Sequence, residues 1–545
     1  MSSTTVDDLE PQEPVDAPGT ASRSLPGDHA RAPIYVFAVV EAIALVVFWW
    51  LGRKQWFFLD EWDYLVTRDG GSVADLFTSH NEHWTTIPIV LYRMLWNVFG
   101  LRTYLPYQLM TLVAHLAVAW LVFLLIRRAN VNPWIATAGA TLFALFGAGA
   151  QNVIWAFQIT FLGAIAFGLA QLALAYHDGP VERRDGYALI AGLLALMFSG
   201  VALTILVVVG LTMLLRRGWK VALLQTLPLL VVYGTWFVFY GRDAGNGAPR
   251  STPSEVLQFA WQGWKGTYRE LGNLPGLGIV IFAVMVVGLA GFVVERGPRR
   301  ALHDGALPLS MLAGSVIFMV TAGLTRVNLV GPAFGSTSRY LYVVAALSVP
   351  ALALALDTLA RRWHVVFPIA LVLLLAPVPG SIRDEKQHPN LNLVGDKSVV
   401  VLTEMDGLDD VPPDTIVAAQ SGRAQLTLEW LQNAADEGEL PTLTPAERRL
   451  AEVNWRLRLA LRQTAEPATG TCAPIGKGVD LTLAPDEHIG IVDGPVQVLS
   501  RERGGSPFNR VTFHPALGQT LVVQVPGVDV VIQSTDPTKP ASICR

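Results

Sequence analysis

The sequence predicts an all-α polytopic membrane domain of about eleven transmembrane helices, followed by a small external α+β domain with a β-sandwich-like end. Three observations predict it. Of the 545 residues 52% are hydrophobic and only 15% charged, against about 25% charged in soluble domains. The apolar residues gather between residues 34 and 379 in nearly uncharged runs, close to the ~20 residues that cross hydrocarbon. Short basic clusters separate those runs, whereas the β-rich end carries short Val/Ile/Leu runs between Gly and Pro turns.

Taken in order, residues 1–33 are rich in Pro, Ser, Thr, Asp and Glu and read as a disordered cytoplasmic tail. The run from Ile34 to Leu51 is too long for a signal-peptide core and lacks a small-residue cleavage site, so it reads as an anchor. The runs expected to span are 34–52, 105–126, 134–148, 153–176, 187–199, 201–215, 221–240, 276–294, 307–323, 340–359 and 365–379. Basic clusters fall at Arg127-Arg128, Arg183-Arg184, Arg216-Arg217 with Lys220, Arg296 with Arg299-Arg300, and Arg361-Arg362. Lys and Arg accumulate in short cytoplasmic loops, so an even number of crossings must join neighbouring clusters. That makes 134–176 a hairpin turning near Gly147–Asn152, and 187–215 a hairpin turning at Ser199-Gly200. Crossings of 13 to 15 residues rise only about 20 Å, so the short ones are expected to be re-entrant or shielded by neighbours. The amino terminus is then cytoplasmic, and everything after about residue 380 is external.

Within 34–379 the first external loop is 53–104. Residues 380–470 form an external helical region, with Glu429-Trp430-Leu431 before a break at Gly438 and Thr444-Pro445-Ala446-Glu447 opening a second helix. Residues 471–545 form the β-rich domain. The only cysteines, Cys472 and Cys544, flank it in a compartment where disulfides persist, and are expected to pair. A net charge of −4 argues against a nucleic-acid partner.

The residues that carry chemistry lie in the first external loop. It contains Leu59-Asp60-Glu61-Trp62-Asp63-Tyr64, then Ser79-His80-Asn81-Glu82-His83-Trp84, and then an amphipathic interfacial helix from Ile89 to Phe99. His80 and His83 with Glu82 could hold a divalent metal ion, and Asp60 and His83 are the metal candidates otherwise; solvated, idle loop groups are the plain alternative.

The order of a first span, an external Leu59-Asp60-Glu61-x-x-Tyr64, a polar stretch ending at Pro88, and an amphipathic helix with Arg93 before Phe99-Gly100 resembles the C-type (GT-C) polytopic membrane glycosyltransferase superfamily. It is similar in particular to the branch of protein O-mannosyltransferases and lipid A aminoarabinose transferases. The resemblance covers 34–379 in architecture and about 57–100 in motif. It implies a GT-C-like membrane domain that moves a sugar from a polyprenyl-phosphate donor to an external glycan, lipid or protein. It also implies that Asp60-Glu61 is the catalytic pair.

The chemistry of such a transfer points to the same residues. A base must take the acceptor proton as the anomeric bond forms, and a carboxylate also favours the oxocarbenium-like state. Asp60 is the expected base, while Glu61 and Asp63 orient it or the sugar. The leaving phosphate needs cations, and Arg326 and Arg339 lie on an external segment, where an Arg fork suits phosphate oxygens; snorkelling from helix ends is their alternative role. Tyr64, His80, Glu82, His83, Gln158 and Tyr340 complete the expected substrate contacts. Gln158 belongs to a polar stripe with Gln151, Asn152 and Trp155. Trp261, Trp264, Lys265 and Tyr268 suit an interfacial helix. Two other readings compete. A transporter or flippase would use charged groups within spans, here Glu41, His115 and Asp357. A non-catalytic assembly subunit would keep the fold alone.

Overall fold

The computed structural model describes residues 28–57, 59–68, 72–242, 251–385, 397–405, 408, 413–414, 416–419, 425–464, 470–476, 478–482, 490–492, 496–502, 509–513, 520–523, 528–534 and 541–544. Each of the expected apolar runs is helical, and local chemistry explains the boundaries. After Arg127-Arg128 ends one helix, Asn130 turns the chain at a φ of 58°. Asn132 then caps the next helix by accepting from Trp134 N at 2.9 Å, and Pro133 takes the first helical position, where its missing N–H costs nothing. The first helix, Asp28–Gly52, begins ahead of the expected Ile34. Most of the expected tail, residues 1–27, lies outside the described residues.

Eleven spans were expected; among the described residues eight helices are long and apolar enough to cross a membrane. They are Arg31–Gly52, Leu105–Arg128, Ala156–Ala175, Trp219–Gly241, Leu277–Arg296, Ala306–Val330, Ser338–Arg362 and Val366–Arg383. A ninth is reached if Pro133–Ala144 and Gly147–Ile154, bent by 46°, count as one span. The other two runs form Arg183–Leu196 and Val201–Arg216, of 14 and 16 residues, which rise only about 21 and 24 Å. They meet at a break at Met197–Gly200, where the sequence places a turn.

Ser338–Arg362 is the central helix. Of its most apolar window 94% is buried within the protein, against 17% for the first helix. Its small residues let neighbours close in: a Cβ at Gly288 would lie 2.5 Å from the Ala355 carbonyl oxygen. At its far end Asp357 accepts from Arg361 Nε at 2.7 Å and from Asn132 N at 3.0 Å, so this carboxylate pins a turn and does not stand alone in mid-span.

The region after residue 396 is helix and sheet, and it begins earlier in strand than expected. Ile416–Ala419 and Gln425–Thr427 pair as a small antiparallel hairpin inside the stretch read as helical, ahead of helices Leu428–Asp436 and Pro445–Ala460. Two antiparallel sheets follow. One orders Val479–Thr482, Val528–Ser534, Val496–Glu502 and Asn509–Phe513; the other orders Leu461–Thr464, Thr520–Val523, Gly490–Val492, Ser542–Cys544 and Cys472–Pro474. Cys472 and Cys544 face each other in register on adjacent strands and are disulfide-bonded, as expected.

Helix Leu428–Asp436 docks on the loop region 53–104. The Trp430 ring meets Trp62 at 6.3 Å and Trp96 at 5.5 Å, edge-on to the first and tilted to the second. Leu101 N donates to the Glu439 carbonyl at 2.8 Å. Gly100 permits that approach: its φ is 55°, and a Cβ there would lie 2.9 Å from Glu439 Cβ.

Candidate active site

The chain enters the site through Leu59, whose φ of 45° is uncommon for a residue with a side chain. Asp60 follows and starts the short helix Glu61–Val66, making no side-chain cap to it. The next carboxylate, Glu61, turns the other way. It is fully buried and accepts from Tyr92 Oη at 2.7 Å and Tyr104 Oη at 2.9 Å. Tyr104 Oη itself accepts from Ala156 N at 2.8 Å. Glu61 therefore ties together distant parts of the loop, through Tyr104 reaches the segment at Ala156, and leaves the cavity wall to Asp60.

Asp63, buried one helical turn on, gathers three partners. His80 Nδ1 lies 2.5 Å from its Oδ2, Thr67 Oγ1 donates to Oδ1 at 2.9 Å, and Arg68 Nε stands 3.6 Å away. Burial works to raise this carboxyl, but the hydrogen bond and charge of His80, with Arg68 and Thr67, outweigh it and hold Asp63 below its ordinary range. Arg68 also donates to the carbonyls of Asp75, Thr78 and Ser79 at 2.9, 2.8 and 3.1 Å, which folds the loop back on itself. Tyr64 is buried with its ring against His80, Tyr92 and Phe157, and burial drives its hydroxyl well above the ordinary range.

His80-Asn81-Glu82-His83 is a two-residue β-hairpin. His80 N donates to His83 O at 3.0 Å and His83 N to His80 O at 2.9 Å, with φ of 45° and 71° at Asn81 and Glu82. Positive φ at both central positions is what such tight turns require; Asn tolerates it, and Glu is strained there. The turn is held from outside: Arg326 donates to Asn81 O at 3.3 Å and stands 3.9 Å from Glu82. Below it, Trp84 stacks on Trp236 at 5.4 Å, and Trp236 Nε1 donates to Phe77 O at 2.8 Å.

These elements bound a cavity of about 860 Å³. Of the residues expected from the sequence, Asp60, His80, Glu82, His83, Gln158, Arg326, Arg339 and Tyr340 line it, while Glu61, Asp63 and Tyr64 stand behind its wall. Gln158 is fully buried, and both its amide oxygen and nitrogen lack partners among the described residues. A buried amide left so costs about 1–3 kcal/mol per group, which favours a polar guest. Arg339 crosses the faces of Phe334 and Tyr340 at 5.2 and 5.5 Å, and its buried Nε has no partner among the described residues. Burial, then the charges of Arg326, His80 and Arg339, push His83 down to about 3, so its ring is neutral. Val201, Val207, Phe237, Ile317 and Leu324 continue the wall along the apolar helices.

Of the polar stripe, only Gln158 reaches the cavity. Asn152 donates to the Arg339 carbonyl at 3.1 Å, and Gln151 N donates to Ser338 Oγ at 3.2 Å, so the stripe pins the start of the central helix. Trp261, Trp264, Lys265 and Tyr268 line a separate groove of about 640 Å³ between helices Pro253–Gly272 and Leu277–Arg296.

A metal does not fit the histidine cluster. Among the described residues no three His, Cys, Asp or Glu side chains are grouped as ligands. His80 spends Nδ1 on Asp63 and meets Asn81 Nδ2 with Nε2 at 2.9 Å. Reading the sequence alone passes over Arg68 and the hairpin. The signal for the hairpin is an Asn at the centre of a His-Asn-Glu-His run. No family model matches the chain, and no curated protein matches it.

Proposed function

We propose that this protein is a membrane glycosyltransferase that moves a sugar from a polyprenyl-phosphate donor to a glycan, lipid or protein acceptor on the outer face of the membrane. One observation carries the reading: a single cavity joins a carboxylate, Asp60, to two arginines, Arg326 and Arg339, and runs on along an apolar wall. That combination suits a lipid phosphate. The apolar wall suits the polyprenyl chain, and the guanidinium forks suit the phosphate oxygens. Gln158 and neutral His83 offer hydrogen bonds to sugar hydroxyls. Asp60 takes the acceptor proton as the new glycosidic bond forms and the phosphate departs. In this reading all eleven apolar helices belong to the membrane domain, with the amino terminus cytoplasmic and residues after 380 outside.

The test supplies membranes expressing the chain with a panel of polyprenyl-phosphate-linked mannose, glucose, galactose and arabinose. Consumption of one donor, with label appearing in an acceptor, is the expected result. Loss of no donor, with uptake of a labelled solute instead, would favour transport. Glu41, whose Oε1 lacks a partner among the described residues within the first helix, is the observation on that side.

A further inference from the structure

We propose that His80, oriented by Asp63, is the group that relays the acceptor proton away from Asp60. The inference rests on the glycosyltransferase reading and adds a second catalytic residue to it. Asp60 precedes the short helix Glu61–Val66 and lines the cavity, and Asp63, within that helix, stands behind the wall. Asp63 holds His80 Nδ1 at 2.5 Å, and His80 lines the same cavity as Asp60. The tautomer follows from the partners. An ionised carboxylate accepts only, so Nδ1 carries the hydrogen; Asn81 Nδ2 is a donor, so Nε2, 2.9 Å away, presents its lone pair. Tyr64 and Phe157 pack on the ring at 5.2 and 5.3 Å and fix its plane. This is the arrangement of a carboxylate-backed imidazole base, in which the carboxylate sets the tautomer and stabilises the imidazolium. Of the other titratable groups near the ring, Arg68 stands beside Asp63, and Glu82 and the neutral His83 follow on the same hairpin.

The balance is as follows. The acceptor oxygen bonds to the anomeric carbon as its proton moves to the Asp60 carboxylate, and the carbon–oxygen bond to phosphate breaks with its electron pair on the phosphate. The proton passes on through water in the shared cavity to Nε2, which gives up its hydrogen bond from the Asn81 amide to receive it. It leaves to solvent from there, and Asp60 is ready for the next turnover.

The experiment uses whole membranes and the panel donor that the wild-type chain consumes. His80→Ala should slow steady-state turnover about tenfold or more beyond any loss in its own first turnover, with imidazole in the buffer restoring the steady-state rate in proportion to its concentration. His80→Gln, which keeps the shape of the wall, should show the same split without rescue. Asp63→Asn turns a donor toward Nδ1, moves the hydrogen to Nε2, and should slow steady-state turnover beyond the reach of imidazole. Steady-state turnover at the wild-type rate in both His80 variants would overturn the relay, as would equal loss in both phases with no rescue. A wild-type chain that consumes none of the donors overturns the parent reading and the relay together.

Discussion

Two clusters in this protein are built from the same three side-chain types. Asp63 and Arg68 stand behind the cavity wall with His80, which lines it; Asp185, His177 and Arg217 stand at the far end of helix Val201–Arg216, whose first residue lines that cavity. In the second cluster the carboxylate and both nitrogens of the histidine are engaged. Asp185 accepts from Arg217 at 2.5 and 3.2 Å, from Glu182 N at 3.0 Å and from His177 Nε2 at 3.1 Å. His177 spends Nδ1 on the Asp178 carbonyl at 3.1 Å. In the first cluster the histidine's outer nitrogen meets, among the described residues, the amide of Asn81, on a strained turn beside open space. The same three side-chain types thus build two clusters that differ in what lies beyond the histidine.

The largest effect that sharpens this contrast is on stability. Arg217→Leu removes the guanidinium from the buried Asp185 carboxylate and leaves it only the donors Glu182 N, His177 and Gln225 among the described residues, so it should cost about 3 kcal/mol, seen as a lower melting temperature in detergent. Transfer per folded molecule should hold; a selective loss of transfer would break the comparison. Next comes Asp60→Asn, which keeps shape but cannot accept a proton, and should lower donor consumption about 10²-fold with the melting temperature unchanged. Arg339→Lys replaces a fork by a point charge and should weaken donor binding about tenfold, measured as the donor concentration for half-maximal rate.

The smallest effect concerns pH. His83 is held neutral down to about 3, so between its unfolded value near 6.5 and that point the unfolded chain binds more protons than the folded one. Stability should therefore fall as pH drops through this window, by at most about 1.4 kcal/mol per unit. His83→Gln should flatten the slope of melting temperature against pH.

The apolar helices are legible in the sequence because crossing hydrocarbon is a matter of length, which a linear chain displays directly. The break at Met197–Gly200 is legible too, since Arg183-Arg184 and Arg216-Arg217 force a return between them. Arg326 and Arg339 could be matched to Asp60 from their place at the ends of apolar runs. The division of labour among the acidic residues could not. Asp60 and Glu61 are neighbours in sequence, and only the positions of Tyr92 and Tyr104 decide that one faces the cavity and the other anchors the loop. Arg68 is hidden for a related reason, because its partners are backbone carbonyls, which every residue possesses. The early strands Ile416–Ala419 and Gln425–Thr427 are short, and their pairing is a tertiary choice that periodicity does not reveal.

The wedge of Trp430 between Trp62 and Trp96 also sets a timetable. The loop that carries Asp60 leaves the ribosome early, and the helix that braces it is made near the end of the chain. At ordinary rates of synthesis the loop waits on the order of tens of seconds for that brace. A chain cut short before Leu428 would keep every residue that lines the cavity and lack the Trp430 contact to Trp62 and Trp96. The brace of the loop is thus a late arrival to a cavity whose lining has long been made.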